Sequence, residues 1–293
     1  MKPTLTAVLC IFALTCPASA ELIQGIDMEL VTIGDAGNPG DTRAAANPVG
    51  AGSVDYTYRI GKYEVTNGQW DTFIGLAGKP VGSPIGPYDG DAFWVGENIP
   101  ANGISWLEAA QFCNYLTSGD KSSGAYLFTG DNTNPGQFLG IDRDTAITEF
   151  GTAYVIPTED EWYKAAYWTG DGYSTYANGT DTLPVEDVDS NYLWDSRETQ
   201  PWDVGSGKME QNGTFDMMGN IYEWTETGLD EKRILRGGAA GTHHTDAIGS
   251  TYQFELFRTG EYGGVGFRIA AVPEPTTLAL LGLGGLLLRN RRK

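Results

Sequence analysis

Residues 212–226 read NGTFDMMGNIYEWTE. Asp216 and Glu223 bracket a tight Gly219-Asn220 turn, and Tyr222 and Trp224 flank the glutamate. Two carboxylates around a turn are hard oxygen donors. Calcium takes six to eight such oxygens, mixing side chains with backbone carbonyls. The plainer alternative is an Asp side chain capping the turn. Tyr222 and Trp224 are expected to pack into the core on either side of the motif.

Upstream, three helix starts share one device. Thr66-Asn-Gly-Gln69, Ser105-Trp-Leu-Glu108 and Thr158-Glu-Asp-Glu161 each put a hydroxyl three residues before a Glu or Gln. That spacing is the capping box, which satisfies two backbone donors left open at a helix start. The helices are expected to bury Trp70, Phe73 and Ile74, then Trp106, Ala110 and Cys113, then Trp162, Ala165 and Ala166. Strands are expected near Met28–Ile33, Val54–Ile60, Arg233–Leu235 and Gly266–Ala270. Residues 169–214 are polar and rich in glycine. Few helices, many short strands and long ordered loops make this an α+β fold, one loop-rich domain over residues 21–272. No GxGxxG or P-loop follows a strand, which argues against a βαβ nucleotide fold.

The two ends read as addresses. Residues 1–20, MKPTLTAVLCIFALTCPASA, carry one lysine, an apolar run and Ala18-Ser19-Ala20, the pattern of a secretory signal peptide. Residues 273–293 read PEPTTLALLGLGGLLLRNRRK. The apolar run Thr276–Leu288 is shorter than the roughly 20 residues of a stable transmembrane helix. The basic cluster behind it would stay on the cytoplasmic side. Without the five basic residues and one acid of these ends, 14 basic and 37 acidic residues remain, a net charge of −23. Such a charge excludes nucleic acid as a partner and restricts membrane contact to the C-terminal segment.

Six stretches carry a resemblance: KYEVTNGQW (62–70), ISWLEAAQFCNYL (104–116), VIPTEDEWYKAA (155–166), residues 212–226, RILRGG (233–238) and GVGFRIA (264–270). In this order they resemble the formylglycine-generating enzyme, or sulfatase-modifying factor, domain family, whose members share a modified C-type-lectin-like fold. The Pro-Glu-Pro, apolar, basic order of the C-terminus resembles the PEP-CTERM sorting signal. That resemblance implies export, an exosortase-type protease as partner, and a place in the cell envelope or exopolysaccharide matrix. The family resemblance also implies a first calcium site at Asp216, the carbonyls of Gly219 and Ile221, and Glu223. A second begins with Asn191 and the carbonyl of Tyr192, with Asp195 as its completion.

The catalytic chemistry of the family does not carry over. Formylglycine synthesis uses a cysteine pair to bind copper(I), a soft ion that suits thiolates. The pair would fall between residues 239 and 263, where there is no cysteine. Cys10 and Cys16 belong to the signal segment, and Cys113 sits on a predicted helix as a small apolar residue. Copper and iron are therefore not expected. The only histidines, His243 and His244, stand with Asp246 in that same interval. Together they would be a metal or acid/base site only if a tight turn brought both imidazoles to one side, because neighbours in an extended segment point apart. Gln200-Pro201-Trp202-Asp203 interrupts the triplet that sugar-binding C-type lectins use around calcium. Trp94, Trp194 and Trp202 remain as aromatic surfaces for stacking on sugars. The expected function is a non-catalytic, calcium-stabilised binding or structural domain, with a metal-dependent oxidoreductase as the alternative.

Overall fold

The computed structural model describes residues 20–82, 86–87, 94–192, 200–242 and 244–273. The signal segment up to residue 19, the C-terminal segment from residue 274, Trp194, Asp195 and His243 lie outside the described residues. In chain order the first elements are β1 (Ala20–Ile23), β2 (Ile26–Ile33), β3 (Tyr58–Gly61), α1 (Asn67–Ala77), β4 (Val81–Gly82), β5 (Gly86–Pro87) and α2 (Trp106–Ser118). Next come β6 (Tyr126–Phe128), β7 (Phe138–Ile141), α3 (Arg143–Phe150), β8 (Thr152–Val155) and α4 (Glu159–Tyr167). Past a long irregular stretch follow β9 (Tyr222–Trp224), β10 (Lys232–Arg236), β11 (Phe254–Phe257), β12 (Val265–Gly266) and β13 (Ala270–Pro273). The architecture is α+β, as the sequence leads one to expect.

Two sheets organise the chain. The larger is antiparallel in the order β1-β2-β3-β13-β8, with Ile60 opposite both Val31 and Ala270. The last strand thus lies between early and middle segments. The second sheet runs β11-β10-β9-β12 and pairs β9 with β12 in parallel, Tyr222 opposite Val265 and Glu223 opposite Gly266. It places the 212–226 motif at a central strand.

All three capping boxes form, each with hydroxyl and N3 side chain bonded reciprocally. Trp70, Phe73, Trp106, Ala110, Cys113, Trp162, Ala165 and Ala166 are buried, and Ile74 packs against the core from a partly buried position. Burial pushes the Cys113 thiol well above its usual range, keeping it an inert packing residue. Three buried tryptophans each place their indole N–H: Trp106 on the Thr225 carbonyl (3.0 Å), Trp224 on the Ile104 carbonyl (2.8 Å) and Trp162 on Glu223 Oε2 (2.8 Å). Buried donors need such partners. They also lock α2, α4 and β9 together. At the third box, Thr158→Ala is expected to cost about 1 kcal/mol. Urea unfolding followed by tryptophan fluorescence checks it, and an unchanged midpoint would refute it.

Two strand expectations need correction, and two further points refine the picture. The strand expected over residues 54–60 is confined to Tyr58–Gly61. Residues 266–270 split between β12 and β13, because Arg268 turns inward to Glu223 while flanking backbone groups bond residues 61 and 65. α3 was not anticipated: only Ala146 and Ile147 of it are buried, so no apolar period marks it, and its start rests on Asp142 accepting from Thr145 N at 2.9 Å. Tyr222 is half-buried and packs against the core from its edge.

Candidate functional site

The Gly219-Asn220 turn is built from left-handed backbone, with Asp216 at φ 62°, Gly219 at 99° and Asn220 at 61°. Asparagine and aspartate tolerate that region better than other non-glycine residues. Position 219 requires glycine on a second ground, since a Cβ there would meet the Asn191 carbonyl oxygen at 2.1 Å. Asn220 is 1% exposed and knots four segments. Its Nδ2 donates to Glu64 Oε1 (3.1 Å), its Oδ1 accepts from Trp202 N (2.7 Å), its N donates to the Asn191 carbonyl (2.8 Å), and its carbonyl accepts from Ala240 N (3.0 Å).

Beneath the turn lies a buried charge cluster. Glu223 and Arg268 are both fully buried and paired through two contacts of 2.6 Å. With Trp162 also on Oε2, both Glu223 oxygens already have donors. Arg268 further donates to the carbonyls of Gly61 and Phe215, each at 2.9 Å. Asp216 accepts from Gly205 N at 2.6 Å, and burial pushes its pKa up to about 6. Glu64, 1% exposed, has one oxygen on Asn220 while Oε2 has no hydrogen-bond donor. Burial first, then the charges of Asp216 and Glu223, hold its pKa well above the usual carboxylate range. Two adjoining buried carboxyls without a second donor are compatible only with a shared proton or a cation.

This decides how far the calcium expectation fits. A hard oxygen without a donor suits calcium, and Glu64 Oε2 is one, with the Asp216 carboxylate beside it. Glu223 already accepts three hydrogen bonds, two from Arg268 and one from Trp162, which leaves one lone pair on Oε1 for an ion. Among the described residues no three His, Cys, Asp or Glu side chains form a ready metal cluster. Glu64 was missed because an acid in KYEVTN reads as an ordinary surface residue. Its burial follows from the distant Asn220 contact. Asn191 and Tyr192 are buried, and the Asn191 side chain donates to the Gln200 carbonyl at 3.1 Å. Asp195, the remaining member of that second site, lies outside the described residues.

Above the turn opens a cavity of about 620 Å³. Trp94, Tyr222 and Tyr252 supply its aromatic wall, and Ala239, Ala240, Gly241, Gly263 and Gly264 its small-residue floor. Trp94 is fixed through its backbone: N donates to Asn102 Oδ1 (2.9 Å), and O accepts from Asn67 (2.9 Å) and Asn102 (3.1 Å). Thr242 Oγ1 donates to the Tyr222 hydroxyl at 3.2 Å and accepts from Ala239 N at 2.8 Å. His244 borders the cavity, is exposed, and opens a single 3₁₀ turn, Thr245–Ile248, without a side-chain cap. Asp246 is exposed on that turn. His243, the third member of that trio, lies outside the described residues. The cavity is walled by the interval between RGG and GFR, where the cysteines of formylglycine synthesis would stand.

Compared with known proteins, residues 22–272 match the family described as "Sulfatase-modifying factor enzyme 1-like domain", and residues 271–293 match the PEP-CTERM protein-sorting motif. The chain is similar to "Chaperone protein LppX" of Paenibacillus barcinonensis, 26% identical over 204 residues, covering 62% of this chain and 68% of that protein. It is also similar to "Hercynine oxygenase" of Mycolicibacterium smegmatis, 24% identical over 173 residues, covering 59% of this chain and only 38% of the relative. Among solved structures it resembles Treponema denticola variable protein 1, with a TM-score of 0.63 and 20% identity, covering 88% of this chain and 100% of that one. PvdO from Pseudomonas aeruginosa gives a TM-score of 0.60 at 15% identity, covering 87% and 98%. At such identities the structural likeness shows the fold alone.

Proposed function

We propose that this chain, which belongs to the sulfatase-modifying factor enzyme 1-like domain family, is a non-catalytic binding domain that uses the aromatic cavity as its ligand site. The PEP-CTERM motif marks it for export and C-terminal sorting by exosortase-type machinery. Its place of action is then the cell envelope or the exopolysaccharide matrix. The observation that carries the reading is the cavity itself. It occupies the position of the family's cysteine chemistry, yet aromatic and small uncharged residues line it, and Cys113 is sealed in α2. The similarity to a chaperone of Paenibacillus barcinonensis supports binding over turnover. Residues 1–20 act as the export signal.

Calcium serves this domain as a structural ion. Asp216 and Glu64 would hold it, and the ion would supply the positive charge that lets both ionise at neutral pH. Exposing the full chain to a calcium chelator is expected to lower Tm by roughly 3 °C or more. Asp216→Asn is expected to abolish that response. An identical Tm with and without chelator would remove calcium from the account.

The oxidoreductase alternative draws on the hercynine oxygenase similarity. Elemental mass spectrometry of the purified chain separates the two. Stoichiometric copper or iron that disappears when His243 and His244 are changed to alanine would replace the binding reading. Calcium without redox metal supports it.

A further inference from the structure

We propose that the cavity takes a neutral saccharide ring, an inference that rests on the binding-domain reading above. The argument begins with charge. The chain carries a net charge of −19, yet no Asp, Glu, Lys or Arg is among the described residues lining this cavity. Among these described residues a cationic ligand finds no carboxylate and an anionic one only the His244 imidazole, so this lining favours neutral ligands.

The second step is the aromatic wall. Trp94, Tyr222 and Tyr252 come from three separate segments. Phe254 on β11 holds two of the rings: it meets Tyr222 at 4.6 Å and 79°, and Tyr252 at 6.1 Å and 46°. Rings fixed before the ligand arrives cost little ordering on binding. The rings offer apolar surface to the C–H side of a pyranose, while the Tyr222 hydroxyl, which accepts from Thr242, keeps a proton to donate.

The polar groups complete the match. The hydroxyls of Thr242, Tyr222 and Tyr252 each both donate and accept, as sugar hydroxyls do. A wholly apolar ligand, such as an aliphatic side chain of a polypeptide, would strip water from these groups and from the His244 imidazole without replacing its bonds. A saccharide replaces them. The floor of alanine and glycine leaves room for a flat ring to lie against backbone.

The test titrates the full chain with neutral oligosaccharides of β-glucan, mannan and galactan type. A uronic acid oligomer and a phenylalanine-containing peptide serve as comparison probes. Calorimetry and tryptophan fluorescence are the readouts. At least one neutral oligosaccharide is expected to bind saturably, without dependence on calcium. Affinity is expected to fall about tenfold or more in Tyr252→Ala, which is about 1.4 kcal/mol. Tyr222→Phe, which keeps the ring and its contact with Phe254, is expected to weaken binding several-fold and guards against a folding defect in the alanine variant. No neutral saccharide bound at about 10 mM, a concentration weak even for a small ligand, would overturn the proposal. So would saccharide binding that both variants leave unchanged. Saturable binding of the peptide alone would overturn the saccharide and leave the binding domain standing. Turnover dependent on a redox metal would overturn both.

Discussion

Glu223→Ala is expected to cost about 3–5 kcal/mol of folding stability, the range for stripping one partner from a buried ion pair. The side chains of Glu223 and Arg268 are both 0% exposed, so the alanine variant leaves a guanidinium in the interior hydrogen-bonded to the carbonyls of Gly61, Lys62 and Phe215 but without its ion-pair partner. Trp162 loses the acceptor of its indole N–H in the same step. These contacts join β9, α4, the end of β3 and the segment after β12, so the loss spreads across both sheets. Glu223→Gln keeps shape and an acceptor while removing charge, and should fall between wild type and alanine. A paired Glu223→Gln, Arg268→Met variant should regain part of the loss, because no uncompensated charge stays buried. Equilibrium urea unfolding with tryptophan fluorescence measures all three. A loss under about 1 kcal/mol for the alanine variant would show that solvent reaches the pair. The series also separates this pair from calcium: if Glu223 held the ion directly, chelated wild type would unfold like the variant.

What the sequence made legible followed the range of the interactions involved. Capping boxes close within four residues, and all three were readable letter by letter. The α+β class and the burial of Trp70, Trp106 and Trp162 followed from local pattern. The site was readable only in part. Asp216, Gly219, Asn220 and Glu223 stand together in one stretch, so the turn could be read. Glu64 and Arg268 lie 152 and 52 residues from Asp216, and only the β9–β12 pairing and the Asn220 contact bring them in. Without Arg268, Glu223 reads as a free oxygen donor; with it, the carboxylate is one half of a buried ion pair. The aromatic cavity was hidden for the same reason. Trp94 reads as a surface for stacking on sugars and Tyr222 as a core residue, and only their convergence with Tyr252 around residues 239–242 makes a wall. The histidine pair drew attention as a rare residue type, but rarity in sequence carries no geometry.

Between pH 5 and pH 8 the domain is expected to lose stability as pH rises, and Glu210 is the group that can be isolated to show it. Glu210 is 4% exposed and accepts from Thr214 Oγ1 at 2.8 Å. Burial is the first cause pushing its pKa up to about 8, with Asp216 and Glu223 adding to the rise and Arg268 and the Thr214 bond opposing it. In the folded protein at pH 7 this carboxyl therefore holds its proton, while in the unfolded chain, near the ordinary value of 4.5, it has given it up. Folding takes up a proton, so the contribution is fully present below about pH 4.5 and is lost as pH climbs through about 8. At about 1.4 kcal/mol per unit, the whole window amounts to a few kcal/mol at most. Glu161 works in the opposite sense at the acid end. Burial opposes its ionisation, but Arg143 and its hydrogen bonds outweigh burial and hold its pKa below the usual carboxylate range, so its support is lost as pH falls through that depressed value. The two together place the stability maximum on the mildly acidic side. Glu210→Gln mimics the protonated carboxyl and keeps an acceptor for Thr214. The variant should match wild type near pH 5, exceed it at pH 8, and show a flatter slope between. Asp216 and Glu64 titrate in both proteins, so the difference between the two curves, at fixed calcium, reports Glu210 together with its coupling to Asp216. Parallel curves for wild type and variant across that window would mean that Glu210 is ionised in the folded state and solvated in a way its burial does not suggest.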